Sequence, residues 1–173
     1  FFSTDNKVDH QNISLIGHSR GGGVVLIKAA EDDRIKKVIT WSSISDIGSR
    51  FPSGDELEKW KNEGVYYVEN GRTKQQMPHF YQFYEDFKQN EDRLHIQSTI
   101  KKIGQPILLL HGENDPTVDI KEAKQLKHWQ PNAKLEIIPN ADHVFNTRHP
   151  WHKDELTKEA ELLVEKSIDF LNQ

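Results

Sequence analysis

Apolar residues fall along this chain in short, separated runs, and the spacing inside each run predicts an element. Asn12–Ile16 brings Ile13, Leu15 and Ile16 together and predicts a short buried strand. It runs directly into Gly17-His18-Ser19-Arg20-Gly21-Gly22-Gly23, after which Val24–Ala30 predicts a helix closed by the charged Glu31-Asp32-Asp33-Arg34. Lys37–Trp41 is β-branched and apolar, and predicts a second strand. Pro106–Leu110 is a continuous apolar run of the kind a central parallel strand requires. Asp119–Trp129 then predicts a helix ended by Pro131-Asn132, and Leu135–Ile138 a further strand. The last helix is expected over Asp154–Leu171, with Leu156, Ala160, Leu163, Val164, Ile168 and Leu171 on one face. Strands alternating with helices imply an α/β fold with a mostly parallel sheet.

Between Ile44 and Ile103 the pattern changes. Trp60, Tyr66, Tyr67, Phe80, Tyr81, Phe83, Tyr84 and Phe87 stand among many charges, and Phe80–Phe87 carries aromatics at helical spacing. Pro52-Ser53-Gly54 and Asn70-Gly71 are turn signals inside the stretch. The expectation is a mainly helical insertion over 44–103, set into a core made of 1–43 and 104–173. No internal repeat or low-complexity tract is present.

Composition narrows the classes. The chain has 173 residues with 23 basic and 27 acidic side chains, a formal charge of −4. That balance argues against nucleic acid as a partner, since binders of phosphate backbones carry a clustered basic face. Hydrophobic content is low at 35%, but its clustering into runs argues against disorder. No run approaches the roughly 18 apolar residues of a membrane span. With no cysteine, a disulfide, a thiolate metal site and a cysteine nucleophile are all excluded. The expected location is cytoplasmic. The chain opens Phe1-Phe2-Ser3 rather than with methionine, so a signal peptide is left open.

The chemistry lies in Gly17-His18-Ser19-Arg20-Gly21, which matches G-x-S-x-G. A serine on a sharp strand-to-helix turn exposes its hydroxyl above the sheet, and the motif sits between an expected strand and an expected helix. Gly17 and Gly21 are expected to let strand and helix approach closely around the turn. Arg20 would supply a backbone N–H at the helix N-terminus, where an oxyanion would form. A serine hydroxyl needs a base to take its proton, and that base needs a carboxylate to orient it. His143, in the loop after the last strand, is the candidate base. Asp115, in the loop after Pro106–Leu110, is the candidate acid. All three residues follow the C-terminal ends of strands, where sites on open α/β sheets collect.

On these residues the chain resembles an α/β-hydrolase, in the carboxylesterase and dienelactone-hydrolase-like branch that overlaps the serine peptidases of that fold. The likeness rests on Ile13–Gly23, on His111-Gly112-Glu113-Asn114-Asp115 within Pro106–Val118, and on Ala141-Asp142-His143 within Ala141–Phe145. It implies a serine hydrolase acting on a small or medium carboxylic ester without metal or organic cofactor. Ser19 departs from the cysteine of a narrow-sense dienelactone hydrolase and from the aspartate of the fold's dehalogenases. The resemblance also implies strands and a helix upstream of Phe1, a second oxyanion donor from that region, and a central place for the Asn12–Ile16 strand. An open, apolar edge on that strand would favour association. The oligomeric state is left open.

Each role has rivals. Asp46 follows the Lys37–Trp41 strand, where a minority of these hydrolases place the acid. Asp142 would have to bend back to reach its neighbour's ring, and Glu113 reads as solvated. His18 and His111 flank the site and read as packing residues, with His18 also a candidate for the substrate pocket. Of the aromatic set, Tyr81 and Tyr84 are the candidate pocket residues, against a plain role in the insertion's own core. Arg72 could meet a substrate carboxylate or be a solvated turn residue. His149-Pro150-Trp151-His152 lacks an acidic ligand at helical spacing and predicts no metal site. A peptidase, a thioesterase and a non-catalytic binding module of the same fold are the alternatives.

Overall fold

The computed structural model describes residues 9–71 and 73–173. Phe1-Phe2, which the resemblance would make the end of a preceding helix, and Arg72, with both its readings, lie outside the described residues. The chain forms two compact units. One joins the chain up to Ser45 with Ile96–Gln173, and the other is Asp46–His95.

The first unit is built on four parallel strands in the order β1-β2-β5-β6. These are β1 (Ile13–His18), β2 (Ile35–Trp41), β5 (Ile107–Gly112) and β6 (Lys134–Ile138). All six residues of β5 are buried, as expected for an apolar strand paired on both sides. β1 differs from its sequence reading. Among the described residues it pairs with β2 alone, and only Gly17 of its six residues is buried, with Ile16 43% exposed. Its apolar run marks a strand, but burial depends on neighbours that a run of letters does not specify.

Helix α1 (Arg20–Glu31) returns the chain from β1 to β2, burying Leu26, Ile27 and Ala29. Helix α4 (Ile96–Ile100) packs on α1 and leads into β5. Helix α5 (Ile120–Trp129) lies against β5 and β6 with Ala123 and Leu126 buried. Its N-cap is Asp119, whose carboxylate accepts the Lys121 N–H at 2.8 Å.

Helix α6 (Lys158–Asn172) starts later than the pattern predicts. Thr157 is its N-cap, accepting the Ala160 N–H at 3.1 Å while its own hydroxyl donates to the Phe145 carbonyl at 2.7 Å. Both bonds hold Thr157 extended, so Asp154–Leu156 stay outside the helix. Its inward face overlaps the predicted one in part: Ala160 and Leu163 are buried and Val164 and Leu171 half-buried, but Ser167 and Phe170 take core positions the pattern did not assign. Ala160, Leu163, Ser167 and Phe170 are buried, whereas Leu156 and Ile168 are each 50% exposed. Ser167 succeeds at a core position because it accepts from Trp41 Nε1 at 3.1 Å and donates to the Leu163 carbonyl at 2.8 Å. Lys37 Nζ donates to the Leu171 carbonyl at 2.7 Å, satisfying one of the helix's terminal acceptors.

The second unit has the expected helices and, in addition, an antiparallel hairpin between them. A 3₁₀ turn (Gly48–Arg50) and α2 (Asp55–Glu63) precede an antiparallel hairpin of β3 (Val65–Glu69) and β4 (Gln76–Phe80), which α3 (Gln82–Gln89) follows. Val65-Tyr66-Tyr67-Val68 is rich in β-formers, and the Asn70-Gly71 turn signal folds it back. The Asn70 N–H donates to the Gln75 carbonyl at 2.8 Å. Gly64, at φ 74°, stops α2 in a left-handed conformation and turns the chain into β3. Trp60 is 1% exposed and is the centre of an aromatic cluster, 4.6 Å from Tyr66 and 5.4 Å from Tyr81 by ring centroids. Its indole N–H donates to the His79 carbonyl at 2.8 Å.

Candidate active site

Ser19 lies between β1 and α1 with φ 56° and ψ −122°, a conformation non-glycine residues rarely hold. The surroundings enforce it: Ser19 N–H donates to the Trp41 carbonyl at 2.8 Å, and its carbonyl accepts from Gly22 N–H at 3.0 Å. A β-carbon on Gly17 would sit 2.3 Å from the Gly21 carbonyl oxygen, so only glycine fits there. Gly21 itself has open space where a β-carbon would be. The expectation that both glycines clear the turn is corrected accordingly: Gly21 contributes its backbone, which presses against Gly17. Arg20 is the first residue of α1, and its amide belongs to the first turn, whose N–H groups project from the helix N-terminus.

Asp115 follows β5 and its carboxylate is fully buried. Oδ1 accepts the N–H of Thr117 at 2.8 Å and of Val118 at 2.9 Å. Oδ2 is 2.8 Å from Nδ1 of His143 and 3.5 Å from Nε2 of His111. Burial opposes the charge, but the Val118 amide, the His143 ring and the Thr117 amide together outweigh it. The carboxyl is therefore held below its ordinary value and is ionised at neutral pH. His111 is 1% exposed, and its Nε2 donates to the Val118 carbonyl at 2.8 Å, closing the loop that carries Asp115.

His143 sits in the loop after β6. That loop approaches the end of β5 so tightly that a β-carbon on Gly112 would be 2.6 Å from the carbonyl oxygens of Ala141 and Asp142. Asp142 turns away from the neighbouring ring. Its Oδ1 accepts from Asn146 N–H at 2.7 Å and Val144 N–H at 3.0 Å, and its Oδ2 pairs with Arg148 at 3.0 Å. Although burial opposes the charge, these partners hold its carboxyl below the ordinary value. The same loop puts Asn140, Phe145 and Asn146 at positive φ. Phe145 is 3% exposed and makes an edge contact with Trp41 at 6.4 Å.

His18 joins the nucleophile turn to this loop. Its Nε2 is 2.8 Å from the His143 carbonyl oxygen, and the two rings are 4.7 Å apart. That contact was hidden at the sequence level, where the two residues merely occupy separate motifs.

The other candidates are engaged elsewhere. Asp46 is exposed and accepts the Gly48 N–H at 2.8 Å at the 3₁₀ turn of the other unit. Glu113 accepts the Asn140 N–H at 3.0 Å. Tyr81 and Tyr84 are half-buried in the aromatic cluster of the Asp46–His95 unit, with ring centroids 5.7 Å apart. A groove of about 530 Å³ in that unit is lined by Trp60, Val65, Tyr66 and Tyr67 together with Glu56, Lys59 and Glu63. Among the described residues, no group of three or more histidine, aspartate and glutamate side chains is gathered to hold a metal. No helix among them is long and apolar enough to cross a membrane.

A parallel sheet carrying a strained serine after one strand, a buried aspartate after another and a histidine paired with it after a third defines a hydrolase-like α/β protein. The family profile described as the alpha/beta hydrolase fold matches residues 61–150, and the chain belongs to that family. The matched span holds Asp115 and His143 and begins after Ser19. The chain is 26% identical over 122 residues to Uncharacterized peptidase YtmA of Bacillus subtilis (strain 168), covering 70% of this chain and 42% of that protein. It is 27% identical to Serine hydrolase BPHL of Homo sapiens, covering 93% of this chain and 60% of that one. Among solved structures, the esterase domain of a Rhodothermus marinus protein shares 26% identity at a TM-score of 0.58, over 78% of this chain and 53% of that one. Est1E from Butyrivibrio proteoclasticus shares the fold at a TM-score of 0.66 and 20% identity, over 98% of this chain and 63% of that one. The chain thus spans less than two thirds of each of these proteins. The proteins of 25% identity or more that it is similar to are named as peptidases, a serine hydrolase and an esterase domain.

Proposed function

We propose that this protein is a serine hydrolase that cleaves a small or medium carboxylic ester through an acyl-enzyme. Ser19 Oγ attacks the acyl carbon while Nε2 of His143 takes its proton. Asp115 holds Nδ1–H of the same ring and stabilises the imidazolium that forms. The tetrahedral oxyanion receives the Arg20 amide N–H. Collapse releases the alcohol, which takes the proton from His143. Water then adds to the acyl-enzyme, giving up a proton to His143, and the acid leaves as Ser19 is reprotonated.

The observation that carries the reading is the 2.8 Å contact between Asp115 Oδ2 and His143 Nδ1, made by a fully buried carboxylate. A buried aspartate aligned on one ring nitrogen leaves the other nitrogen as the base. The esterase domain among the structural neighbours supports an ester substrate.

A fluorophosphonate probe on the full-length protein tests this. It should label Ser19 stoichiometrically, and Ser19→Ala should abolish both labelling and p-nitrophenyl acetate turnover while the far-UV circular dichroism is unchanged. Absence of labelling in the wild type, or turnover retained in Ser19→Ala, overturns the reading. The Bacillus relative named as a peptidase favours a second reading, cleavage of a peptide bond by the same groups. Comparing kcat/KM for an ester and an amide with the same acyl group separates the two.

A further inference from the structure

The reaction above gives the His18 side chain no task, yet its ring bonds the nucleophile turn to the loop of the base. It precedes Ser19 directly and lies 125 positions before His143. The His143 carbonyl can only accept, so the 2.8 Å bond requires the proton on His18 Nε2. The ring also rests 4.7 Å from the His143 ring, tilted by 40°, and 6.4 Å from the Phe145 ring.

We infer that His18 is a positioning residue: its Nε2–H bond to the main chain of His143 sets where the imidazole stands relative to Ser19. The inference rests on the reading of Ser19 and His143 as nucleophile and base. Asp115 grips the ring at Nδ1 alone. A ring held at one nitrogen still swings with the backbone that carries it, and a shift of about 1 Å at a reacting group costs roughly 100-fold in rate. This backbone needs an anchor. Three non-glycine residues of the loop, Asn140, Phe145 and Asn146, sit at positive φ, where isolated residues would not remain. Thr157 ties the loop to α6 through the Phe145 carbonyl at 2.7 Å, and Asp142 closes it internally. Those bonds fix the loop to its own side of the sheet. The His18 bond fixes it to the serine, so the two halves of the site move together.

Two substitutions separate the donor from the ring. His18→Gln places an amide N–H near the position of Nε2 without the ring. His18→Phe keeps a flat ring without the donor. His18 is exposed, so neither change opens a core cavity. Using the full-length protein, p-nitrophenyl acetate turnover and the rate of fluorophosphonate labelling are measured for each. His18→Phe should lower kcat about tenfold or more with KM within about twofold, and slow labelling in parallel. His18→Gln should recover most of both rates. The inference is overturned if His18→Phe keeps the wild-type kcat, if its loss appears in KM alone, or if His18→Gln is as impaired as His18→Phe. Failure of the underlying reading looks different, because then the wild type itself does not label at Ser19.

Discussion

At the scale of single residues, the site depends on groups kept where their ordinary preferences would not put them. Ser19 holds a positive φ, and Asp115 keeps its charge with no exposed surface. Two amide N–H groups and one imidazole are what make the buried charge tolerable. Asp115→Asn is therefore a sharp probe. The asparagine amide can still fill the space, but it cannot stabilise an imidazolium and can present an N–H to Nδ1, favouring the wrong tautomer. The expected fall in kcat is about 10⁴, the size seen for this change in a Ser-His-Asp enzyme. Steady-state kinetics on the purified variant check it, and a loss of under tenfold would transfer the orienting role to another acid. Asp46, engaged at the 3₁₀ turn, would be next to examine by the same substitution.

At the scale of elements, periodicity found the strands of the parallel sheet, missed the β3–β4 hairpin, and was a weaker guide to which side of a helix faces inward. Helix α6 shows why. Its apolar residues outnumber the positions that fit against the sheet, so counting them alone finds Ala160 and Leu163 but also draws in the half-exposed Leu156 and Ile168. Packing selects Ala160, Leu163, Ser167 and Phe170, including a serine that periodicity would reject. Leu163→Ala should cost about 2–5 kcal/mol, as expected for a buried leucine, whereas Ile168→Ala, at a half-exposed position, should cost well under 1 kcal/mol. Urea unfolding of both variants decides it, and equal losses would return the inward face to the predicted stripe. The site was legible for a different reason. A glycine-flanked serine, an acid loop and a histidine loop are local signatures that survive in any packing. The hairpin of β3 and β4 was hidden because aromatics at helical spacing occur beside it, and its β-formers span only Val65–Val68 before a turn. The His18–His143 bond was hidden because hydrogen bonding across 125 positions is a property of the assembled loops.

At the scale of the whole molecule, charge sets a limit on the acid side. Asp32, Asp115, Asp119, Glu136 and Asp142 are all held below their ordinary values, and all five belong to the α/β unit. A lowered folded value means that the unfolded chain takes up protons first as pH falls, so stability declines with falling pH across that window. The contribution is fully present above about pH 5 and is lost progressively below the ordinary aspartate value of 3.8. The same protonation leaves 23 lysines and arginines and 9 histidines facing few anions, and self-repulsion adds to the loss. The thermal midpoint should therefore be nearly level from pH 7 to 5 and drop steeply below pH 4. Asp142→Asn should be less stable at pH 7, because the Arg148 pair and the charged acceptor for Asn146 N–H are gone. It should also lose less on acidification than the wild type, since one of the titrating groups has been removed. Differential scanning calorimetry from pH 7 to 3 on both proteins reads this as a convergence of midpoints. Parallel curves would mean that Asp142 contributes nothing to the acid transition, and that titration at Asp32, Asp115, Asp119 and Glu136 accounts for it.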